Sequence, residues 1–210
     1  KALVIAQYHS WRIWSSLQPM LTSIAFFGQP VSWIELIAVV SGLAGVWLTV
    51  RKNGLCFPVG ILNVLLYAFL FFSPDVRLYA DAVLQLFFGV LLLYGWASWK
   101  KNKMGDEIRI ERTRKIEWLV IVLFISILTL TAGWLLHRFT AASFPILDTA
   151  LTAVSLIAQW MTARRKLENW WLWVVVDIIY VPLYWTKGLP FTALLYVLFA
   201  GLAVNGAIAW

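Results

Sequence analysis

Seven apolar runs of near-membrane length follow one another along this chain, at about residues 33–50, 55–73, 77–99, 117–137, 146–163, 169–186 and 190–210. A bilayer core is crossed by about 20 helical residues. Inside lipid every backbone N–H and C=O must find a partner within the protein, so runs of this length are expected as α-helices. The composition agrees: 62% of residues are hydrophobic and 13% charged, against about half and about a quarter in soluble domains. The expected fold class is therefore all-α integral membrane, with seven transmembrane helices. A single cysteine, Cys56, excludes an intrachain disulfide. With only His9 and His137 beside it, neither a metal site nor a metal cofactor is expected. Residues 1–30 lack a clean apolar core followed by a cleavage site. Trp11, Arg12 and Trp14 instead read as a short interfacial helix.

Basic residues set the orientation. The side that holds the N-terminus collects Lys1, Arg12, Arg77, Arg138 and Lys187, while the other side collects the remaining twelve, from Arg51 to Lys166. The positive-inside rule puts the basic side in the cytoplasm, with the N-terminus outside and the C-terminus inside. The pI of 9.7 is thus an orientation signal, and no nucleic-acid partner is expected.

An internal repeat is legible. Adding 113 carries Glu35 to Asp148, Trp47 to Trp160, Arg51-Lys52 to Arg164-Arg165 and Tyr67 to Tyr180; adding 114 carries Asn63 to Asp177 and Trp96 to Trp210. Spans 1–3 and 5–7 then read as two copies of one unit. Span 4 turns the second copy over, so both copies face the same way, a 3+1+3 plan of parallel repeats found in small-molecule transporters. The expected division is a segment 1–30, a three-helix bundle 31–100, a cytoplasmic loop 101–116, a linker helix 117–140 and a second bundle 141–210. The charged run from Lys100 to Glu117 reads as a solvated loop.

The sixth run, WWLWVVVDIIYVPLYW, carries Asp177 at its middle, where a carboxylate costs about 2.5–3.5 kcal/mol on insertion scales. At 3.6 residues per turn Trp170, Trp173, Asp177 and Tyr180 share its face. Asn63 and Tyr67 share a face of span 2, Asp81, Gln85 and Phe88 one of span 3, and Tyr196 and Phe199 one of span 7. Amides and carboxylates bind hydroxyls and aromatic rings stack on bases, so this set suits a sugar-bearing aromatic molecule. No Lys or Arg lies in the central part of any span. A phosphate would want such a partner, so the cargo is expected to be neutral or cationic. No GxxxxGK[ST] loop is present, and no enzymatic activity is expected. Two plainer readings compete: Asn63 as a tie between helices, and Asp177 as a protonated packing residue. Trp96, Trp99 and Trp210 read as interfacial anchors.

Trp170-x-x-Trp173-x-x-x-Asp177, followed by Lys187-Gly188-Leu189 and Tyr196, resembles the PnuC-type nicotinamide riboside transporters. So do Asn63 with Tyr67, the stretch LYADAVLQ at 78–85, and Tyr94-Gly95-Trp96-x-x-Trp99. The resemblance covers about residues 33–210. It implies facilitated uptake of nicotinamide riboside, a form of vitamin B3, across the bacterial inner membrane. It also implies a fold similar to the SWEET sugar facilitators, a homotrimer, and trapping by a separate cytoplasmic kinase. The helix faces and the resemblance together give the expected substrate-binding residues: Asn63, Tyr67, Asp81, Gln85, Phe88, Trp170, Trp173, Asp177, Tyr180 and Tyr196. A SWEET-like sugar facilitator, or a transporter of another nucleoside-like vitamin, is the alternative. A retinal-type receptor would need a lysine within span 7, which has none.

Overall fold

The computed structural model describes residues 23–26, 29–72, 79–101, 103–104, 107–139, 145–186 and 190–210. The expected Trp11–Trp14 interfacial helix lies outside them. Among the described residues seven helices follow two short strands: β1 (Ser23–Phe26), β2 (Gln29–Ser32), α1 (Trp33–Val50), α2 (Cys56–Phe72), α3 (Tyr79–Lys101), α4 (Lys115–Phe139), α5 (Pro145–Ala163), α6 (Asn169–Thr186) and α7 (Pro190–Ala209). Two further two-residue strands, β3 (Lys103–Met104) and β4 (Glu107–Ile108), pair between α3 and α4. The antiparallel β1–β2 hairpin was not expected from the sequence. Among the described residues four helices, α1, α3, α4 and α5, are long and apolar enough to cross a membrane; α2, α6 and α7 are apolar over shorter stretches.

Helix starts follow local chemistry. Pro145 and Pro190 open α5 and α7, where a missing N–H is harmless. Glu35 and Asp148 stand in first turns, where a carboxylate suits the helix dipole. The ends of α1 and α5 are built alike. Lys52 N–H donates to Thr49 O and Asn53 N–H to Leu48 O; likewise Arg165 N–H donates to Thr162 O and Lys166 N–H to Met161 O. The stop residues, Lys52 and Arg165, take positive φ values of 55° and 57°. This is the Schellman pattern, with a basic residue where glycine is usual.

α2 packs between α1 and α3, and α6 between α5 and α7. α1 also meets α7, α3 meets α5, and α4 lies along α5. Only Ile121 and Gly133 of α4 are buried. Many of its apolar side chains, Leu119, Val120, Leu123, Ile127, Leu130 and Trp134 among them, face outward, as on a lipid-exposed helix.

The tightest packing lies at the basic end. Trp99 and Phe57 are each 2% exposed there, and their rings meet edge to face at 4.9 Å. Trp170 meets Trp210 in the same way at 5.1 Å, and Trp99 meets Trp210 at 5.9 Å. Trp99 is thus a core residue, and the expectation of an interfacial anchor is corrected: its indole N–H donates to Thr162 O at 3.2 Å. Trp210 donates to Thr49 O at 3.2 Å. Each ring pair needs a glycine. A Cβ on Gly95 would stand 2.7 Å from Phe57 Cε1, and one on Gly206 would collide with the Trp170 indole. Gly206→Ala is therefore expected to cost about 1–3 kcal/mol, the usual range for overpacking. Thermal unfolding in detergent checks it; an unchanged midpoint would mean that the Trp170 ring moves aside freely.

The run from 107 to 117 is not a free loop, which corrects the solvated reading. Glu111 exchanges backbone hydrogen bonds with the α5–α6 turn, accepting from Leu167 N–H and donating to Arg165 O. Glu168 accepts from the Thr113 N–H and hydroxyl at 2.9 and 2.8 Å. Lys166, its side chain 4% exposed, reaches Glu111 at 3.3 Å and Glu117 at 3.1 Å. Arg165 donates to the Arg109 and Ser98 carbonyls and to the Ser98 hydroxyl. Ile108 is buried against Trp99 and Phe57. Apolar contact and paired charge together dock this segment.

Candidate functional site

Asn63 and Asp177 stand near the middles of α2 and α6. Each is seven or eight residues from the basic end of its helix, about 11 Å along the axis. Asp177 is 5% exposed. No ion pair or hydrogen bond to it occurs among the described residues. One turn on, the Tyr180 ring lies 4.7 Å from Tyr196 of α7, and Tyr196 lies 6.1 Å from Phe199. Phe199 approaches Gly42 of α1, where an added Cβ would stand 3.5 Å from its ring and 3.1 Å from Asn63 Nδ2. A row of Asp177, Tyr180, Tyr196, Phe199 and Asn63 thus runs from α6 across α7 to α1 and α2. It joins one acid and one amide through aromatic rings.

Asn63 carries part of the tie expected as its plainer role. Its amide N–H group donates to Ala38 O at 2.6 Å and reaches Ser41 Oγ at 3.4 Å. Gly42 is the residue that sequence reading missed here: a glycine within an apolar run carries no sign that Asn63 and Phe199 close over it.

The other expected site residues divide. Tyr67 is half-buried on α2, with its ring 5.6 Å from Phe71. Gln85 and Phe88 are half-buried on α3. Asp81 lies in the first turns of α3, and its side chain is outside what the structure describes. Trp173 donates its indole N–H to the Thr162 hydroxyl at 3.4 Å, and that hydroxyl also meets Asn169 Oδ1 at 2.9 Å. Trp170 is 2% exposed, packed among Val50, Ala203 and Trp210. It sits seven residues from Asp177, about 10 Å along the helix. The structure therefore groups Trp170 with the basic-end packing, away from Tyr180 and Tyr196. Helical phase placed it on the right stripe but could not assign its depth.

A separate open cleft of about 570 Å³ lies at the basic end, lined by Arg109, Arg112, Arg114, Arg164 and Lys166 with Glu111 and Glu117. Its acids are already paired to Lys166, Arg165 and Arg114. Near it Arg164 lies over the Trp160 ring at 5.4 Å, as Arg51 does over Trp47 at 5.1 Å. Among the described residues no group of His, Cys, Asp and Glu could hold a metal ion.

Comparison with known proteins gives this arrangement a family. The model of the nicotinamide mononucleotide transporter family matches residues 32–210. The nicotinamide riboside transporter PnuC of Escherichia coli is 25% identical, with 87% of each chain covered. PnuC of Neisseria mucosa is 28% identical, over 96% of this chain and 81% of its own. The riboflavin/roseoflavin transporter RibM of Streptomyces davaonensis is 26% identical, over 90% and 91%. A crystal structure of the vitamin B3 transporter PnuC superposes with a TM-score of 0.69 at 28% identity, covering 85% of this chain and 80% of that one. Matched over seven helices and almost its whole described length, this chain belongs to the nicotinamide mononucleotide transporter family.

Proposed function

We propose that this transporter carries nicotinamide riboside by facilitated diffusion, holding it at mid-membrane depth between two three-helix bundles. The observation that carries the reading is Asp177: buried, without a cationic partner among the described residues, and one turn from the Tyr180–Tyr196 pair. A buried carboxylate that stays ionised needs a counter-charge. Nicotinamide riboside is a pyridinium cation with a ribose and a carboxamide, and aromatic faces attract such a cation. Asn63, Gln85 and Tyr196 are the proposed partners of its hydroxyls and amide, with Phe199 beneath the ring. Trp173 is the proposed wall toward the basic end. The family description names the mononucleotide, but the phosphate of that molecule would need a basic partner. Within the helices Lys and Arg occur only at the ends of α3 and α4. The names of the PnuC relatives support the riboside.

The bundles are proposed to be 31–100 and 141–210, parallel repeats joined by the linker helix in 117–140, a SWEET-like 3+1+3 plan. Several pairings support it. The matched helix stops at Lys52 and Arg165, the hydroxyls of Thr49 and Thr162 donating to Gly45 O and Ala158 O at 2.9 Å, and the arginines over Trp47 and Trp160 all repeat at a spacing of 113. Exchanging α1, α2 and α3 for α5, α6 and α7 leaves the packing partners unchanged. The basic end is proposed to face the cytoplasm of a bacterium, across the inner membrane, because all the described arginines and lysines except Arg138 gather there. A homotrimer rests on the family resemblance.

The riboflavin relative, covered as fully as the PnuC proteins, supports a second reading in which a larger fused-ring vitamin is the cargo. Calorimetric titration of purified protein with nicotinamide riboside, its mononucleotide and riboflavin decides. Riboside binding at least about tenfold tighter than either is the expected result, the equivalent of about 1.4 kcal/mol. Riboflavin binding without riboside binding would overturn the proposal.

A further inference from the structure

We propose that Trp99 and Trp210 are the latch of the cytoplasmic gate. The inference rests on the reading that two bundles rock about a central site, and adds which atoms hold one end shut. Trp99, at the end of α3, sends its indole N–H to Thr162 O at the end of α5. Trp210, just past α7, sends its own to Thr49 O at the end of α1. Both bonds therefore cross from one bundle to the other, both measure 3.2 Å, and each ends on the threonine that its bundle uses to stop a helix. Each indole also presses edge to face on an aromatic ring of its own bundle's middle helix, Phe57 for one and Trp170 for the other, at 90° and 89°. That ring is seated on the glycine four residues before the tryptophan, Gly95 or Gly206. The two indoles meet each other at 5.9 Å.

The matching pairs correct the repeat alignment. Trp210 corresponds to Trp99 rather than to Trp96, as Gly206 does to Gly95 and Trp170 to Phe57. A contact made twice across a pseudo-symmetric interface is a closure: rocking α3 from α5 also rocks α7 from α1, so both bonds break in one movement. Arg165, bonded to Ser98 of α3, adds a third crossing on one side only. The latch thus separates two roles within one residue type. The Trp173 indole bond stays within its own bundle, on the Thr162 hydroxyl, whereas those of Trp99 and Trp210 span the seam.

The chain carries its own reporter. Cys56, its one cysteine, is 4% exposed and packs with Phe57 and Trp99. In purified protein in nanodiscs, the rate at which a membrane-impermeant maleimide labels Cys56 measures how often this end opens. Trp99→Phe and Trp210→Phe keep a ring and remove the bond. Each is expected to speed labelling about fivefold, and the double variant about 25-fold, because one movement breaks both bonds. Trp134→Phe, on the exposed face of α4, is the control and should leave the rate unchanged. Labelling at the wild-type rate in both single variants overturns the latch. So does acceleration by only one of them.

A second arm reads transport. In a Cys56→Ser background, Trp99→Cys with Trp210→Cys is cross-linked in vesicles with a short bifunctional methanethiosulfonate, which spans the gap left by the two rings; uptake of nicotinamide riboside is expected to stop and to return with reductant. Uptake unaffected by the cross-link overturns the latch. Wild-type vesicles that take up no nicotinamide riboside would instead refute the proposed cargo, and the labelling arm, which needs no cargo, still decides the latch.

Discussion

Asp177→Asn is expected to weaken nicotinamide riboside binding about 100-fold. The substitution keeps the shape of the side chain and one acceptor oxygen, turns the other into an N–H donor, and removes the charge. Separating a desolvated charge from its partner typically costs 2–5 kcal/mol, and about 2.7 kcal/mol is a factor of 100 in affinity. The low end applies because Asp177 is not wholly buried, 5% of it remaining exposed. Calorimetry on the purified variant is the measurement, with the unfolding midpoint as a companion. If Asp177 were a protonated packing residue, Asn would replace it almost without loss of affinity. Wild-type affinity in the variant would therefore remove Asp177 from the site and leave Asn63 and the tyrosines without the group that orients a cation.

The second large effect concerns stability. Lys166→Met is expected to cost about 3 kcal/mol and to lower the unfolding midpoint by about 6–12 °C, using the relation for chains of about 200 residues. Lys166 Nζ is buried and bonded to Glu111, Glu117 and the Arg112 carbonyl. The Glu117 side chain is 13% exposed, so losing the lysine strands an acid that Arg114, 76% exposed, only partly compensates. Glu111 suffers less, being 43% exposed and still within 3.7 Å of Arg165. The double variant Lys166→Met with Glu117→Gln separates the causes, because removing both partners leaves no orphan charge. Recovery of more than half the lost stability is expected. A midpoint equal to wild type in the single variant would mean that the docked segment contributes nothing to the fold.

The helices were legible because length and apolarity are local signals. α1 and α6 run over the residues expected, and the other five helices differ by one or two at either end. Those ends are punctuated by Pro145, Pro190 and the basic pairs, whose effects act within one turn. What stayed hidden depends on depth and on partners distant in sequence. Composition cannot separate a tryptophan at a lipid interface from one like Trp99, whose indole reaches a carbonyl 63 residues away. Helical phase put Trp170 in line with Asp177, yet the glycine that receives its ring is on α7. The charged run after α3 looked solvated because its partners, Arg165, Lys166 and Glu168, lie on another turn. At the candidate site the polar residues could be named in advance. Their joining through Phe199 and Gly42 could not, since that needs the approach of α1 to α7.

Lys52 and Arg165 hold a left-handed backbone that suits glycine better, and a side chain there opposes folding by about 1 kcal/mol. The two are not equivalent in what they return. Arg165 is sunk into a network with Ser98, Arg109 and Glu111, whereas Lys52 has no side-chain bond among the described residues. An engineer who wants a hardier form of this protein would thus put glycine at 52 and leave 165 untouched. The price of that change is one positive charge from the face that decides, during biosynthesis, which way round the chain is threaded.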